Sequence, residues 1–207
     1  MVVIQEKIDL KKTHVGFRAR RGDFRIFEMP PARYLAVDGS GDPNTAPEYR
    51  ATLEALYPYA YALKFASRAE LERDYVVPPL EGLWWADDMT AFTEHRDKAL
   101  WRWTMMIMVP EWIPESLVEA ARDRVKAAPE RLGDVRLDAL EEGTCVQTLH
   151  VGSFDDEAAV LARMHDEFIP ASGHRMTGRH HEIYLGDPRR VAPERMRTIL
   201  RQSVEPV

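Results

Sequence analysis

Cys145 is the only cysteine in 207 residues, so no intrachain disulfide is possible, and no Cys/His cluster has the spacing of a zinc site. Positive charge is also in short supply: 28 Lys and Arg stand against 34 Asp and Glu, a formal net charge of −6. A basic face able to neutralise a phosphate backbone is not expected, which argues against nucleic acid as a direct partner. No apolar run reaches the roughly 18 residues of a membrane span, and the opening MVVIQEKIDLKK lacks the apolar core and cleavage site of a signal peptide. A cytoplasmic protein, without membrane contact and without a metal or other cofactor, is the expectation. There is no GxSxG elbow, and the GSGDPN loop lacks the further glycine that would open a helix beneath a phosphate. Cys145 and His150 lie together in an apolar stretch, a poor setting for a Cys–His nucleophile.

What the chain has is apolar mass and aromatic rings. Hydrophobic residues make up 45%, enough for a sizeable core, and many of the 5 Trp, 7 Tyr, 7 Phe and 9 Met fall in short segments rather than evenly. Strands are predicted at 24–29 and 33–38, then a Gly/Pro/Asn loop. A helix over 47–67 follows, opened by a capping box at Thr45 and Glu48 and kinked by Pro58. PLEGLWW at 79–85 reads as a strand and leads into an acidic connection with Asp87, Asp88 and Glu94. A further strand spans 100–109, where Trp101, Trp103, Met105 and Ile107 alternate with Arg102, Thr104, Met106 and Met108. A helix over about 115–128 comes next. The second half gives, within 140–151, a turn at Glu141-Glu142-Gly143 and a strand, then a helix from a Ser153 or Asp155 cap to Ile169, the strand RHHEIYL at 179–185, and a last strand at 198–204.

Each half thus reads strand–helix–strand–strand. The expected fold is α+β, a tandem βαββ repeat with half-repeats at about 24–110 and 140–207, joined by the helix of about 115–128. A pseudo-twofold axis and a ligand cleft between the repeats follow from that duplication.

The stretch RHHEIYL sets Glu182 in the middle of a strand that should be buried. Alternation places His180, Glu182 and Tyr184 on one face and His181, Ile183 and Leu185 on the other. His180 and His181 therefore cannot share a metal. In PLEGLWW, Glu81 alternates with Leu83 and Trp85. Trp84 and Trp85 are neighbours, so one of them faces the cleft; alternation favours Trp85, and a bulge would reverse this. Candidates for holding a planar, apolar or cationic molecule are Trp84, Trp85, Trp101, Trp103, Met105, Glu81, His180 and Tyr184, through stacking and cation–π contact. Tyr57 and Tyr61, four apart on the helix, either pad the core or supply a hydroxyl donor. Simple packing is the competing account: tryptophans in a core, with Glu182 paired to Arg179 or Arg201. His14, His95, His165 and His174 read as surface residues.

AVDGSGDPN, ALYPYAYALKF, PLEGLWW, WRWTMMIMVP, EEGTCVQTLHVGSFDDE and HEIYLGDPRR occur in that order. Over roughly residues 8–205 they resemble the GyrI-like small-molecule-binding family, and more narrowly its stand-alone branch, some members of which hydrolyse cyclopropanoid compounds. The resemblance implies a tandem βαββ fold with a ligand channel between the repeats and a glutamate of the last-but-one strand, here Glu182, in that channel. Pro58 departs from the family pattern, which has a small flexible residue between the tyrosines. In the implied reaction, water attacks the strained carbon of a cyclopropane conjugated to a dienone while electrons move to the carbonyl oxygen. This requires a base, Glu182, and a hydrogen-bond donor, Tyr57 or Tyr61. The alternative is a non-catalytic binder of hydrophobic planar drugs, acting by sequestration or as an effector domain for a regulator with a separate DNA-binding partner. Monomer and homodimer are equally compatible with the sequence.

Overall fold

Every stretch of period-two alternation becomes an antiparallel strand, and the long 3.6-period stretch becomes one helix. The computed structural model describes residues 7–87, 97–126, 128–187 and 190–207; Asp88, Glu94 and His95 lie outside them. In chain order the elements are α1 (Leu10–Thr13), β1 (Arg25–Met29), β2 (Ala32–Ser40), α2 (Pro47–Glu70), β3 (Leu80–Trp85), β4 (Arg102–Val109), α3 (Glu115–Arg122), β5 (Arg136–Leu140), β6 (Gly143–Val151) and α4 (Glu157–Ala162). A π-helical stretch (Arg163–Phe168) then runs into α5 (Ile169–Ala171), followed by β7 (His174–Tyr184) and β8 (Arg197–Pro206). The fold is mixed α+β with antiparallel strand pairing. No described helix is long and apolar enough to cross a membrane.

The chain divides into two compact units that interleave along the sequence. One contains the residues up to Thr13, Ala32–Pro78 and Trp85–Leu140; the other contains His14–Pro31, Pro79–Trp84 and Glu141–Val207. Thus β1 and most of β3, which the sequence order assigns to the first half, belong to the second unit.

In the first unit β2 is central, paired with β4 from Arg33↔Val109 to Ser40↔Arg102 and with β5 from Ala32↔Leu140 to Ala36↔Arg136. The strand β5 has no strong alternation and was not predicted. Against this sheet α2 buries Thr52, Ala55, Leu56, Tyr59, Ala60, Leu63 and Ala66, residues three and four apart on one stripe. The Tyr59 hydroxyl donates to the carbonyl of Val118 on α3 at 2.8 Å. Two expectations for α2 need correction. Its N-cap is Ala46, without a side-chain cap bond; the preceding turn is held by Asp42, whose carbonyl accepts from the amides of Thr45 (3.1 Å) and Ala46 (2.7 Å). The helix, with Pro58 inside it, also runs to Glu70, three residues beyond the predicted end.

The second unit is a sheet in the order β1-β6-β8-β7-β3. One face is covered by the helical run from Glu157 to Ala171, with Met164 and Ile169 packed on Val146, Leu200 and Val204. The run continues one residue past Pro170, where a stop was expected, and ends at Ala171.

The opposite face of the same sheet holds a buried charge network. Arg201 is 0% exposed. Its guanidinium donates to Glu142 Oε2 (2.8 Å), to Gln147 Oε1 (3.1 Å) and to the carbonyl of Gly16 (2.7 Å). His181, also fully buried, places Nδ1 2.9 Å from Glu142 Oε1 and Nε2 3.0 Å from Glu81 Oε2. The latter contact is within ion-pair distance but off the angle of a hydrogen bond. Glu81, Glu142, His181 and Arg201 thus meet in one buried cluster among β3, β7, β8 and the turn into β6. Burial alone would raise Glu142, but the charge and hydrogen bond of His181, then those of Arg201, outweigh it and hold Glu142 at about 2. For His181 burial acts downward, and Glu142, aided by Glu81, turns the net shift upward.

Removing one member strands the others. Arg201→Leu leaves Glu142 buried without its guanidinium donor and should lower unfolding free energy by about 3–5 kcal/mol, read from urea denaturation. The contribution of Glu142 is present above its unfolded value of 4.5 and is lost as pH falls through about 2, so Glu142→Gln should flatten the acid limb of stability. An unchanged acid limb in that variant would contradict the assigned network.

Candidate functional site

The helix-covered face of the second unit gathers the residues with chemistry. Near the start of β7 the pairing with β8 shifts register between Thr177 and His180, and Gly178 there adopts φ +64°, a conformation glycine takes without strain. Beyond the shift His180, Glu182 and Tyr184 point to the helix-covered face, opposite Gln202, Leu200 and Thr198 of β8. On the other side β3 places Trp84 across from His180, Gly82 across from Glu182 and Leu80 across from Tyr184. A glycine at 82 leaves the Glu182 carboxylate without a cross-strand side chain on that edge.

A directed series of hydrogen bonds joins these groups. The Trp84 indole N–H donates to the Tyr184 hydroxyl at 2.9 Å, and that hydroxyl donates to Glu182 Oε2 at 2.7 Å. The other oxygen, Oε1, lies 3.4 Å from His180 Nε2. Phe154 meets the Tyr184 ring edge to face at 5.8 Å between centroids. His165, on the π-helical stretch, meets His180 in the same way at 6.0 Å. At the other end of the helical run, the buried Glu157 is hydrogen-bonded by Thr198, which stands opposite Tyr184.

Two groups here are moved far from ordinary behaviour. Burial, reinforced by the charge of Glu182, pushes the Glu157 carboxyl up to about 9, against the bond from Thr198. Burial and the neighbouring His180 bring His165 down to about 4. At neutral pH, then, Glu157 is a carboxylic acid and His165 a neutral imidazole. An acid beside a carboxylate is an arrangement suited to donating one proton and accepting another.

The predicted site residues separate as follows. Glu182, Tyr184, His180 and Trp84 come together. The tryptophan on the Glu182 face is Trp84, not the favoured Trp85: the register Trp84↔His180 fixes this, and Trp85 falls in the first unit. Glu81 projects to the opposite face, into the charge network with His181. Arg201, one of the two arginines considered as a partner for Glu182, serves Glu142. Tyr57, Tyr61, Trp101, Trp103 and Met105 belong to the first unit. Trp103 and Met105 are core residues there, each 0% exposed. Trp103 lies flat on Gly39, where a Cβ would approach its ring to 2.0 Å, and its N–H donates to the carbonyl of Gly41 at 3.3 Å. Tyr61 is 49% exposed beside Phe65, Tyr57 is half-buried, and Lys98 stands over the ring of Trp101. The buried Cys145 thiol is pushed up to about 12 by desolvation, which removes it as a nucleophile.

Sequence reasoning missed Glu157, His165 and Phe154. His165 was expected at the surface, and Glu157 falls at a helix start, where acidic residues are common. The available signal was spacing: from Glu157 to His165 is about two helical turns, so both can face one strand. Among the described residues no group of three side chains is placed to hold a metal ion.

A sheet face of this kind, half-buried, aromatic and bearing paired carboxyls, defines an α+β domain suited to a small organic molecule. The GyrI-like small molecule binding domain matches residues 22–202, and the chain belongs to that family. An uncharacterized conserved protein from Listeria innocua is 38% identical over 96% of this chain and 100% of its own, with a TM-score of 0.86. A hydrolase from the same organism is 37% identical over 96% of this chain and 100% of its own, with a TM-score of 0.82. The C-terminal domain of EcmrR shares the fold at a TM-score of 0.53, with 12% identity over 89% of this chain and 98% of its own. A comparison with curated proteins gives no match.

The carboxyl of Glu157 has a consequence for stability. The folded protein binds more protons than the unfolded chain between 4.5 and about 9, so this residue's contribution is complete below 4.5 and declines as pH rises through about 9. Glu157→Gln should remove that decline, visible as a flatter dependence of the urea midpoint on pH between 4.5 and about 9; an identical slope in wild type and variant would place the proton elsewhere.

Proposed function

We propose that the protein binds a hydrophobic, planar electrophile and hydrolyses it by adding water at a strained carbon, with Glu182 as the base; a cyclopropanoid is the substrate class that best suits this site. The observation that carries the reading is the Trp84–Tyr184–Glu182 series, which aims one carboxylate oxygen and leaves the other beside His180. Membership of a small-molecule-binding family supports the ligand class, and a 37% identical relative described as a hydrolase supports turnover. The order β2-α2-β3-β4 followed by β6-α4-β7-β8 supports a duplicated βαββ ancestry.

In the proposed step the water oxygen bonds to the ring carbon and the cyclopropane C–C bond breaks. The electron pair moves to the conjugated carbonyl oxygen, and Glu182 takes the water proton. Tyr184 holds the carboxylate in place by its hydroxyl, so the base meets water without first reorienting.

Glu182→Gln keeps size and shape but is no base. It should bind substrate with little change while kcat falls on the order of 10²–10⁴-fold, with mass spectrometry following the gain of one water. The second reading, a non-catalytic binder, follows from the family's binding character alone. It would be supported if wild type binds a panel of cyclopropanoids, seen by tryptophan quenching, yet adds water to none of them.

A further inference from the structure

We propose that Glu157 is a second catalytic residue, the proton donor to the substrate's carbonyl oxygen, so that Glu182 and Glu157 work as a base and an acid across one bound molecule. This deepens the hydrolytic reading and rests on it. It also narrows the substrate: beside the strained carbon there must be a carbonyl whose oxygen reaches the helix-covered side of β7.

The geometry is specific. Glu157 is only 5% exposed, and its Oε1 has no hydrogen-bond partner among the described residues, although burying such an atom unmet is costly. The carboxyl receives Thr198, which stands directly opposite Tyr184, so it is held on the face that carries Glu182. Further along the same helical run His165 Nε2, and on the strand both ring nitrogens of His180, are likewise buried without a hydrogen bond. Unmet polar atoms on both the helix and the strand suit a ligand that carries hydrogen-bonding oxygen rather than a plain hydrocarbon.

The charged groups facing Glu157 are Glu182 on β7 and Asp155 on its own turn, while β8 presents the neutral Thr198. Both neighbours are acidic, and together with burial they favour the protonated form. The resting site thus carries one proton on two carboxyls. As water attacks, Glu182 gains a proton, the electron pair released by the C–C bond reaches the carbonyl oxygen, and Glu157 gives its proton to that oxygen. Transfer of the new proton from Glu182 to Glu157 restores the start, and the net change is the addition of one water.

The test pairs turnover with a spectroscopic readout. With a cyclopropanoid dienone, Glu157→Gln should lower kcat on the order of 10²-fold while tryptophan quenching by a neutral planar ligand is kept, and Glu157→Asp should recover part of the rate. Wild-type kcat/KM should fall on the alkaline side through about 9, a limb absent from Glu157→Gln. In infrared difference spectra at pH 7, wild type minus Glu157→Gln should show the C=O band of a protonated carboxylic acid, and this band should titrate at lower pH in Glu182→Gln, which lacks the neighbouring charge. No water addition by wild type overturns the hydrolase. Wild-type turnover matched by Glu157→Gln in kcat and pH profile, or no acid band in wild type, overturns the role of Glu157 while leaving that of Glu182 standing.

Discussion

The second unit depends on one buried arrangement of charge. Arg201, Glu142, His181 and Glu81 sit where water cannot solvate them, so each is tolerable only because the others are present. The guanidinium's fork reaches Glu142, Gln147 and the Gly16 carbonyl at once, which ties three separate stretches of chain to β8. A change of register by one residue would exchange the faces of β7 and leave these charges unpaired. The network therefore fixes which side of β7 faces the helix.

That choice decides the chemistry. His180 and His181 are neighbours with opposite fates, one in contact with Glu182 and the other locked between Glu81 and Glu142. The same backbone that carries a charge-balanced anchor on one side carries an unbalanced pair of carboxyls on the other. Desolvation acts on both faces, but with different results. Where cations answer the carboxylate, as at Glu142, it stays ionised; where an acidic neighbour is added to burial, as at Glu157, it is driven to the neutral form.

Two local irregularities bring the site together. The register shift at Gly178 sets the phase of His180, Glu182 and Tyr184. The π-helical turn at Arg163–Phe168 adds backbone between Glu157 and the end of the helical run, and His165 within it meets His180 edge to face. Insertions of this kind often mark functional positions, because they aim a side chain that regular geometry would send elsewhere.

The sequence by itself marked most of the elements and the strand face that carries Glu182. Period-two alternation marks β7 with Glu182 and Tyr184 on one face, and apolar spacing marks α2, because those patterns come from strand and helix geometry alone. It left β5 unmarked, for lack of alternation, and gave Thr45 a capping role that it does not have, the N-cap being Ala46 without a side-chain bond. Only the tertiary structure decided that Trp84 rather than Trp85 joins Glu182, that Glu81 turns away into the charge network, and that Trp103 is core. Each of these depends on which strand lies beside which and in what register, and no local period records that. Glu157 shows the limit most plainly. Its proton is held by burial and by a carboxylate 25 residues further along the chain, and desolvation by distant parts of a sequence has no signature in the sequence itself.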